Sequence, residues 1–358
     1  MNKKIKVNIK QENNSYSIYI GSNWIDKIGS CTDISWKDQD VFILTHVRLA
    51  DLYLKKVKSS LEKAGAQVYH YNVAEGETSK DLSSLQKIYS KMIHLRLDRK
   101  AVLIALGGGV IGDLGGFIAA TYLRGIRFIQ IPTTLLAQVD ASVGGKVAVN
   151  LPDGKNLVGA FHQPRAVYID INFLKTLDLR QWLSGMAEVV KYGMIWNVKF
   201  LKFLEDVFMK PECHEQDLIH IVYESCKIKA EVVSKDEKES DLRRILNFGH
   251  TFAHGIETYT KYVRWTHGEA VAMGMVAACK LAEKVDGLAP SVRIRLEKLL
   301  KKIGLPVSLP KMHKEKYYQM LFADKKMMAG HLIFVLPKKI GHVYCTDKVT
   351  KEDILSLL

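Results

Sequence analysis

Along the first half of the chain, short apolar runs alternate with longer stretches of helical period. Residues 5–9 and 16–20 alternate apolar and polar positions and predict two strands, with a hairpin turn across Asn13-Asn14. Residues 41–45 predict a short buried strand, and residues 49–64 an amphipathic helix that stops at Gly65. A strand is expected over residues 67–73. Leu82, Leu85, Ile88 and Met92 then recur on one helical face, with Ser79 as the candidate N-cap. Residues 101–106 are continuously apolar, as in a parallel strand covered on both faces. Further strands are expected at 126–131, 147–150 and 167–171, and Pro152 to Asn156 reads as a turn. Beyond about Leu174 the period changes. Helices are predicted over 182–195, 200–208, 218–233, 243–259, 268–284 and 291–303, with a small hairpin at 331–336 and 342–346.

The pattern predicts an α/β half with a mostly parallel sheet over residues 1–170. A mainly α-helical half follows over residues 171–358, and the boundary falls within 165–175. No internal repeat or low-complexity segment interrupts it.

Composition narrows the function. The 358 residues are 47% hydrophobic and 25% charged, ordinary for a globular protein. The five cysteines are scattered and lack any Cys-x-x-Cys pair, which argues against a disulfide framework or a thiolate zinc site and fits a reducing cytoplasm. The start, Met1-Asn2-Lys3-Lys4, has charge without a following apolar run, unlike a signal peptide. The apolar stretch from Ala270 to Ala278 is too short to span a bilayer. The net charge of +14 is spread along the chain with no dense basic block, so it reads as a solvated basic surface, with some of the charge available to a small polyanionic substrate, rather than as a nucleic-acid face.

Three features carry chemistry. The apolar run 101–106 leads directly into Gly107-Gly108-Gly109-Val110-Ile111-Gly112-Asp113, a turn that lets backbone amides approach phosphates at a helix N-terminus. His250 and His254 are four residues apart and share a helical face, with His267 close behind. Glu188 lies in an apolar helix three residues before Lys191. Together with His250, His254 or His267 it would make a three-ligand metal site. Glu257 and Glu269 are candidates to orient the imidazoles. Lys146, Lys155, Lys191, Lys229, Arg124 and Arg243 lie beside glycine turns or in apolar helices and suit carboxylate and phosphate groups. These features point to metal-assisted alcohol oxidation with a nucleotide cofactor, the active site lying in the cleft between the halves.

These motifs resemble the 3-dehydroquinate synthase family. The resemblance is carried by Gly107 to Asp113, Tyr122-Leu123-Arg124-Gly125, Pro132 to Asp140, Ser142-Val143-Gly144-Gly145-Lys146, Gly154-Lys155-Asn156 and Phe161-His162-Gln163-Pro164. In the second half it continues through Glu188-x-x-Lys191, Leu246 to Thr251, His267-Gly268-Glu269 and Asp324-Lys325-Lys326. It implies a Rossmann-like NAD-binding domain followed by a helical metal-binding domain. The implied reaction converts 3-deoxy-D-arabino-heptulosonate 7-phosphate to 3-dehydroquinate and phosphate in the shikimate pathway. A hydroxyl is transiently oxidised by NAD, phosphate is eliminated, the ketone is reduced again, and an aldol step closes the ring. A related sugar phosphate cyclase and a metal-dependent polyol dehydrogenase are the alternatives.

The resemblance makes Glu188, His250 and His267 the ligands of one divalent metal, zinc or cobalt, and moves His254 to the substrate side. It assigns Asp140, Lys146, Asn156, Lys191, Lys229, Arg243, Asn247 and Lys325 to the substrate pocket. Arg124 is implied to reach a second subunit's phosphate, so a homodimer is expected. For NAD it implies Glu75, Gly76, Glu77, Thr78, Ser79 and Lys80; Gly109, Val110, Ile111, Gly112 and Asp113; and Thr133 and Thr134. Lys146, Lys155, Phe173, Leu174, Lys175 and Thr176 complete that set. The chain departs from the family at Ala141, where a serine is usual, at Asp241-Leu242 for Gly-Leu, and at Gly255 for alanine.

Overall fold

The structure is a computed structural model that describes residues 2–9, 14–30, 34–209, 213–323 and 332–358. The chain forms two compact units, Met1–Leu177 with Lys229–Ser234, and Asp178–Ile228 with Lys235–Leu358. The division falls seven residues beyond position 170, the end expected for the first half, and a helical segment far along the chain joins the first unit. The turn Ile171–Thr176 stays with the sheet because Phe173 is buried in its core, whereas Asp178 caps the next helix through Arg180 and Gln181 amides.

The first unit contains β1 (Lys3–Val7), β2 (Tyr16–Gly21), β3 (Asp40–His46), α1 (Val47–Leu49), α2 (Lys55–Lys63), β4 (Gln67–Val73), α3 (Leu82–His94), β5 (Val102–Gly107), α4 (Gly109–Thr121), β6 (Arg127–Pro132), β7 (Lys146–Leu151), β8 (Gly154–Phe161) and β9 (Ala166–Asp170). The sheet order is β1-β2-β9-β6-β5-β3-β4, with only β1–β2 antiparallel. Successive strand residues point to opposite faces. Ile43, Ile104 and Ile129 therefore enter one core with Val57 and Leu61 of α2. Phe42, Leu44, Leu103 and Phe128 enter the other, against α3 and α4. Covering both faces explains the unbroken apolar character of 101–106.

Two local expectations change. Strand β8 occupies positions read partly as a turn; it pairs antiparallel with β7, and its largely exposed residues give no buried run to read. The N-cap of α3 is Asp81, which accepts from the Ser84 amide at 2.8 Å, while the Ser79 hydroxyl donates to the Gly76 carbonyl at 2.9 Å.

The second unit contains α5 (Leu179–Ile195), α6 (Val198–Val207), α7 (Glu215–Lys235, apart from its Lys229–Ser234 segment), α8 (His250–Tyr259), α9 (His267–Asp286), α10 (Pro290–Ile303), α11 (Lys314–Ala323), β10 (Phe334–Lys339), β11 (His342–Thr346) and α12 (Lys351–Leu355). The helix expected over 243–259 is broken: a 3-10 turn, Leu242–Asn247, ends at Gly249, and α8 starts at His250. Gly249 has φ +82, and a Cβ there would come within 2.8 Å of the Met275 amide nitrogen on α9, so glycine is required on both counts. Gly255, where alanine is usual, faces Leu321 and Tyr317 of α11; an added Cβ would lie 2.6 Å from Leu321. Among the described residues, no helix is long and apolar enough to cross a membrane.

Candidate active site

The parallel strands of the first unit release their carboxyl ends along one edge. Glu75 to Lys80 follow β4, Gly109 to Asp113 form the first turn of α4 after β5, Thr133 and Thr134 follow β6, and Phe173 to Thr176 follow β9. Strand order reverses between β3 and β5, and open α/β sheets bind ligands outside the carboxyl ends at such a point. No side chain caps α4, whose N-cap is Gly108, so the helix presents bare amides there.

Side chains brace this edge. Lys80 is 3% exposed, and its Nζ donates to Asp113 Oδ2 at 2.5 Å and to Asn156 Oδ1. Burial pushes the Asp113 carboxyl up despite Lys80. Asn150 donates to Glu77 at 2.7 Å, and Lys155 lies 4.0 Å from the same carboxylate. The Thr133 amide donates to the Gly107 carbonyl at 3.0 Å, joining the ends of β6 and β5. Thr134 Oγ1 accepts from the Ala137 amide at 3.1 Å. Ser79, Phe173 and Leu174 are buried, whereas Glu75, Gly76, Thr78, Lys155, Lys175 and Thr176 are exposed. His46, at the end of β3 beside the reversal, was not singled out from sequence. Its Nδ1 is buried without a hydrogen bond, and burial lowers its pKa against the pull of Glu75. Strand order exposes this position, and apolar patterning carries no strand order.

Also in the first unit, Lys229 Nζ donates to Asp140 Oδ1 at 2.8 Å and to the Asp140 carbonyl at 2.7 Å. Lys146 opens β7 and is exposed. Arg124 has φ +67 beside Leu123 at φ +50, two consecutive left-handed residues on an exposed loop.

In the second unit, Glu188 is 0% exposed and lies one helical turn from Lys191, in direct ion-pair contact with it. Its Oε1 faces His250 Nε2 at 3.4 Å and His267 Nε2 at 3.3 Å, yet neither carboxylate oxygen makes a hydrogen bond. One ligand atom from each of the three residues lies within 4.8 Å of the others.

Each group is held from behind. His250 Nδ1 lies 3.2 Å from the Phe248 carbonyl, and His267 Nδ1 lies 3.2 Å from Glu257 Oε1, so both Nε2 atoms turn toward Glu188. His267 opens α9, which begins with a capping box between Thr266 and Glu269. The Gly268 amide donates to Ser184 Oγ at 2.9 Å, tying that start to α5. Glu269 orients no imidazole. It pairs with Arg180 at 2.8 Å and caps α9, which leaves the orienting role to Glu257 alone.

The electrostatics fit a cation. Burial raises the Glu188 carboxyl, but Lys191 and His250 overcome it and hold the group well below the usual carboxylate range. Burial lowers His250, and burial of His267 is outweighed by Glu188 and Glu257, which raise it to about 10. Two carboxylates thus draw a further positive charge to this point, and the ligand set is the mixed imidazole–carboxylate type that suits zinc or cobalt. His254 lies outside the triad, its ring 5.8 Å from that of His250.

The loop before α8 is clamped by Asp236. Its Oδ1 accepts from the Ser240 amide at 2.9 Å and the Ser240 hydroxyl at 3.0 Å. Its Oδ2 accepts from the Asp241 amide at 2.8 Å and the Arg243 amide at 3.0 Å. Burial opposes these bonds, yet they hold the carboxyl far below its ordinary range. The Arg243 side chain donates to the Glu237 carbonyl. Asn247 donates to Glu239 Oε1 at 2.7 Å, and Glu239 has φ +59. Sequence reading missed Asp236 and Glu239. Their signal was a run of acids just upstream of Arg243. Lys325 lies outside the described residues.

The same fold is seen in a solved 2-deoxy-scyllo-inosose synthase, described as complexed with carbaglucose-6-phosphate, NAD+ and Co2+. The two superpose with a TM-score of 0.88 over 99% of each chain at 26% identity. The chain is an enzyme of this two-part class. Residues 70–184 match the family model for the 3-dehydroquinate synthase N-terminal region and residues 185–327 that for its C-terminal region. The 3-dehydroquinate synthase of Thermoanaerobacter pseudethanolicus is 45% identical over 99% of both chains. That of Rippkaea orientalis is 44% identical over 99% of this chain and 98% of its own. The chain belongs to the 3-dehydroquinate synthase family.

Proposed function

We propose that this chain is a working 3-dehydroquinate synthase, which takes 3-deoxy-D-arabino-heptulosonate 7-phosphate to 3-dehydroquinate and phosphate with NAD and one divalent metal. The observation that carries the reading is the buried Glu188 carboxylate, faced by two imidazole nitrogens at 3.3 and 3.4 Å and bonded to neither. When bound, the cation polarises the substrate hydroxyl, and NAD takes up and returns the hydride. Glu188, His250 and His267 would hold the cation, and Glu257 holds the Nδ1 proton of His267 so that Nε2 is the nitrogen that would give up its proton for it. Lys191 balances the Glu188 charge and offers its remaining protons to substrate oxygens. His254, one turn along α8 from His250, relays a proton from the substrate side.

Arg243, Asn247, Lys146, Asn156, Lys325, Asp140 and Lys229 bind the substrate's carboxylate, hydroxyl and phosphate groups, with Lys229 fixed by Asp140. Glu239 holds the Asn247 amide in place. The bare N-terminus of α4 would hold the pyrophosphate of NAD, and the acidic segment after β4 would take its ribose hydroxyls. The exposed, left-handed Leu123-Arg124 turn supports a homodimer in which Arg124 reaches the partner's phosphate. The cytoplasm is the expected compartment.

The test is phosphate release from heptulosonate phosphate with substoichiometric NAD, with and without a chelator. Many phosphates per NAD, no net NADH and inhibition by chelator are expected. Absence of phosphate release in the presence of zinc or cobalt would overturn the reading. NADH accumulating in step with turnover would instead indicate a polyol dehydrogenase.

A further inference from the structure

The chain between α7 and α8 carries Arg243 and Asn247 on a 3-10 turn, Leu242–Asn247. A connecting segment leaves its side chains loose unless something fixes its backbone. Asp241, the N-cap of this turn, supplies no capping side chain. Asp236, buried just after α7, does so from outside the turn. Its Oδ2 accepts from the Asp241 and Arg243 amides at 2.8 and 3.0 Å, so orphan donors at the start of the turn meet a charged acceptor. Its Oδ1 accepts from the Ser240 amide and hydroxyl at 2.9 and 3.0 Å.

These four bonds close the chain on itself across Glu239. Glu239 has φ +59, a left-handed conformation that a residue with a Cβ keeps only where its surroundings impose it. From there its carboxylate accepts from Asn247 Nδ2 at 2.7 Å. The buried Arg243 side chain is tied into the same closure and donates to the Glu237 carbonyl. Burial opposes the charge on Asp236, but the bonds from Arg243, Asp241 and Ser240 outweigh it and keep the carboxylate ionised at neutral pH. One carboxylate thus sets the backbone of Arg243, the carbonyl that its guanidinium meets, and the turn from which Glu239 holds Asn247.

We propose that Asp236 is a positioning residue for substrate binding, acting through Arg243 and Asn247 rather than on the substrate itself. The inference rests on the reading above that these two residues bind substrate. A turn ordered beforehand spares the substrate the cost of ordering it, so the loss of Asp236 falls on KM. A brace of the fold alone would lower stability and leave the KM of the folded enzyme unchanged.

The test is a double-mutant cycle on the holoenzyme, loaded with metal and NAD, with Asp236→Asn, Arg243→Ala and both together. Asparagine keeps the size of the side chain but turns one accepting oxygen into a donor. Steady-state rates are read beside metal content and NAD affinity. Asp236→Asn should raise the KM for heptulosonate phosphate about tenfold or more, the worth of one charge-assisted hydrogen bond. Its kcat should stay within about threefold of wild type, with metal and NAD binding intact. Arg243→Ala should raise KM further, and adding Asp236→Asn to it should change KM by less than about threefold, because the two act as a unit. A wild-type KM in Asp236→Asn beside a raised one in Arg243→Ala would overturn the proposal and leave the substrate pocket standing. So would full additivity in the double variant. A wild-type KM in Arg243→Ala would overturn the pocket assignment itself, and this inference with it. Should Asp236→Asn fail to fold, Ser240→Ala takes its place, since it removes only the hydroxyl bond and keeps the carboxylate. Its KM should rise about threefold, the worth of an ordinary hydrogen bond, and a wild-type KM there would overturn the proposal.

Discussion

Lys80 and Lys191 are both buried lysines paired with a carboxylate, one in each unit, and their partners shift in opposite directions. Asp113 meets Lys80 at 2.5 Å, yet burial wins and its carboxyl rises. Glu188 is the more deeply buried of the two, yet its carboxyl falls well below the usual range. The difference lies in the neighbours. Asp113 has Glu77 working against Lys80, whereas Glu188 has His250 and His267 in addition to Lys191. One carboxylate is a brace beside a backbone-built edge. The other is kept anionic between a lysine and two imidazoles. In the first unit topology positions most of the chemistry through strand ends and a helix N-terminus, and in the second a few buried side chains do so. Substitutions should therefore be most costly in the triad and mildest along the sheet edge.

The largest contrast should come from His250→Ala beside His254→Ala. His250 faces Glu188 and His254 does not, although they lie one turn apart on α8. His250→Ala should lose the metal and reduce kcat/KM on the order of a thousandfold or more, since polarising the hydroxyl is worth several kcal/mol. His254→Ala should keep the metal and lose about 100-fold or more in kcat, as for a general acid–base group. Metal content by mass spectrometry beside steady-state rates decides it; equal metal loss in the two variants would break the comparison.

A smaller effect should follow from Glu257→Gln. The substitution keeps the volume but removes the charge that faces His267 Nδ1 at 3.2 Å. Metal affinity should fall about 10–100-fold, as is usual when a ligand's carboxylate partner is lost. NAD affinity should be unchanged, because the sheet edge belongs to the other unit. Chelator competition measures the first and fluorescence titration the second. An unaltered metal affinity would mean that the Phe248 carbonyl and Glu188 suffice to set the imidazoles.

The same contrast explains what was legible in the sequence. The buried strands 101–106 and 126–131 announced themselves because two covered faces need an unbroken apolar run. The glycine turn was visible as residue types at fixed spacing, whereas spacing left His250, His254 and His267 as rival partners for Glu188, and the choice of His250 with His267 came from the family resemblance. Strand β8 was hidden because most of its residues are exposed, leaving no buried pattern. The break at Gly249 was hidden because an apolar helical period runs straight through it. Only the approach of α9 and the positive φ reveal it. Asp236 and Glu239 act on the backbone and the Asn247 amide of their own loop, contacts that periodicity does not encode.

The smallest effect tests the sheet edge where a side chain, not topology, sets the backbone. Asp81 caps α3 just after the acidic segment that follows β4, and Ser79 is bonded only to Gly76 within that segment. Asp81→Ala should cost about 1 kcal/mol in urea unfolding, the usual worth of an N-cap, and Ser79→Ala only a few tenths. The Ser84 backbone bond, with its side chain and Ser83, holds the Asp81 carboxyl below its ordinary value. A lowered folded pKa means that the cap's contribution is whole above the unfolded value near about pH 4 and is lost as pH falls through the folded one. The gap between wild type and Asp81→Ala should thus stay constant through neutral pH and close only below about pH 4. Equal losses in the two variants would return the cap to Ser79, and the turn after β4 would then begin the helix two residues earlier than the Ser84 bond places it.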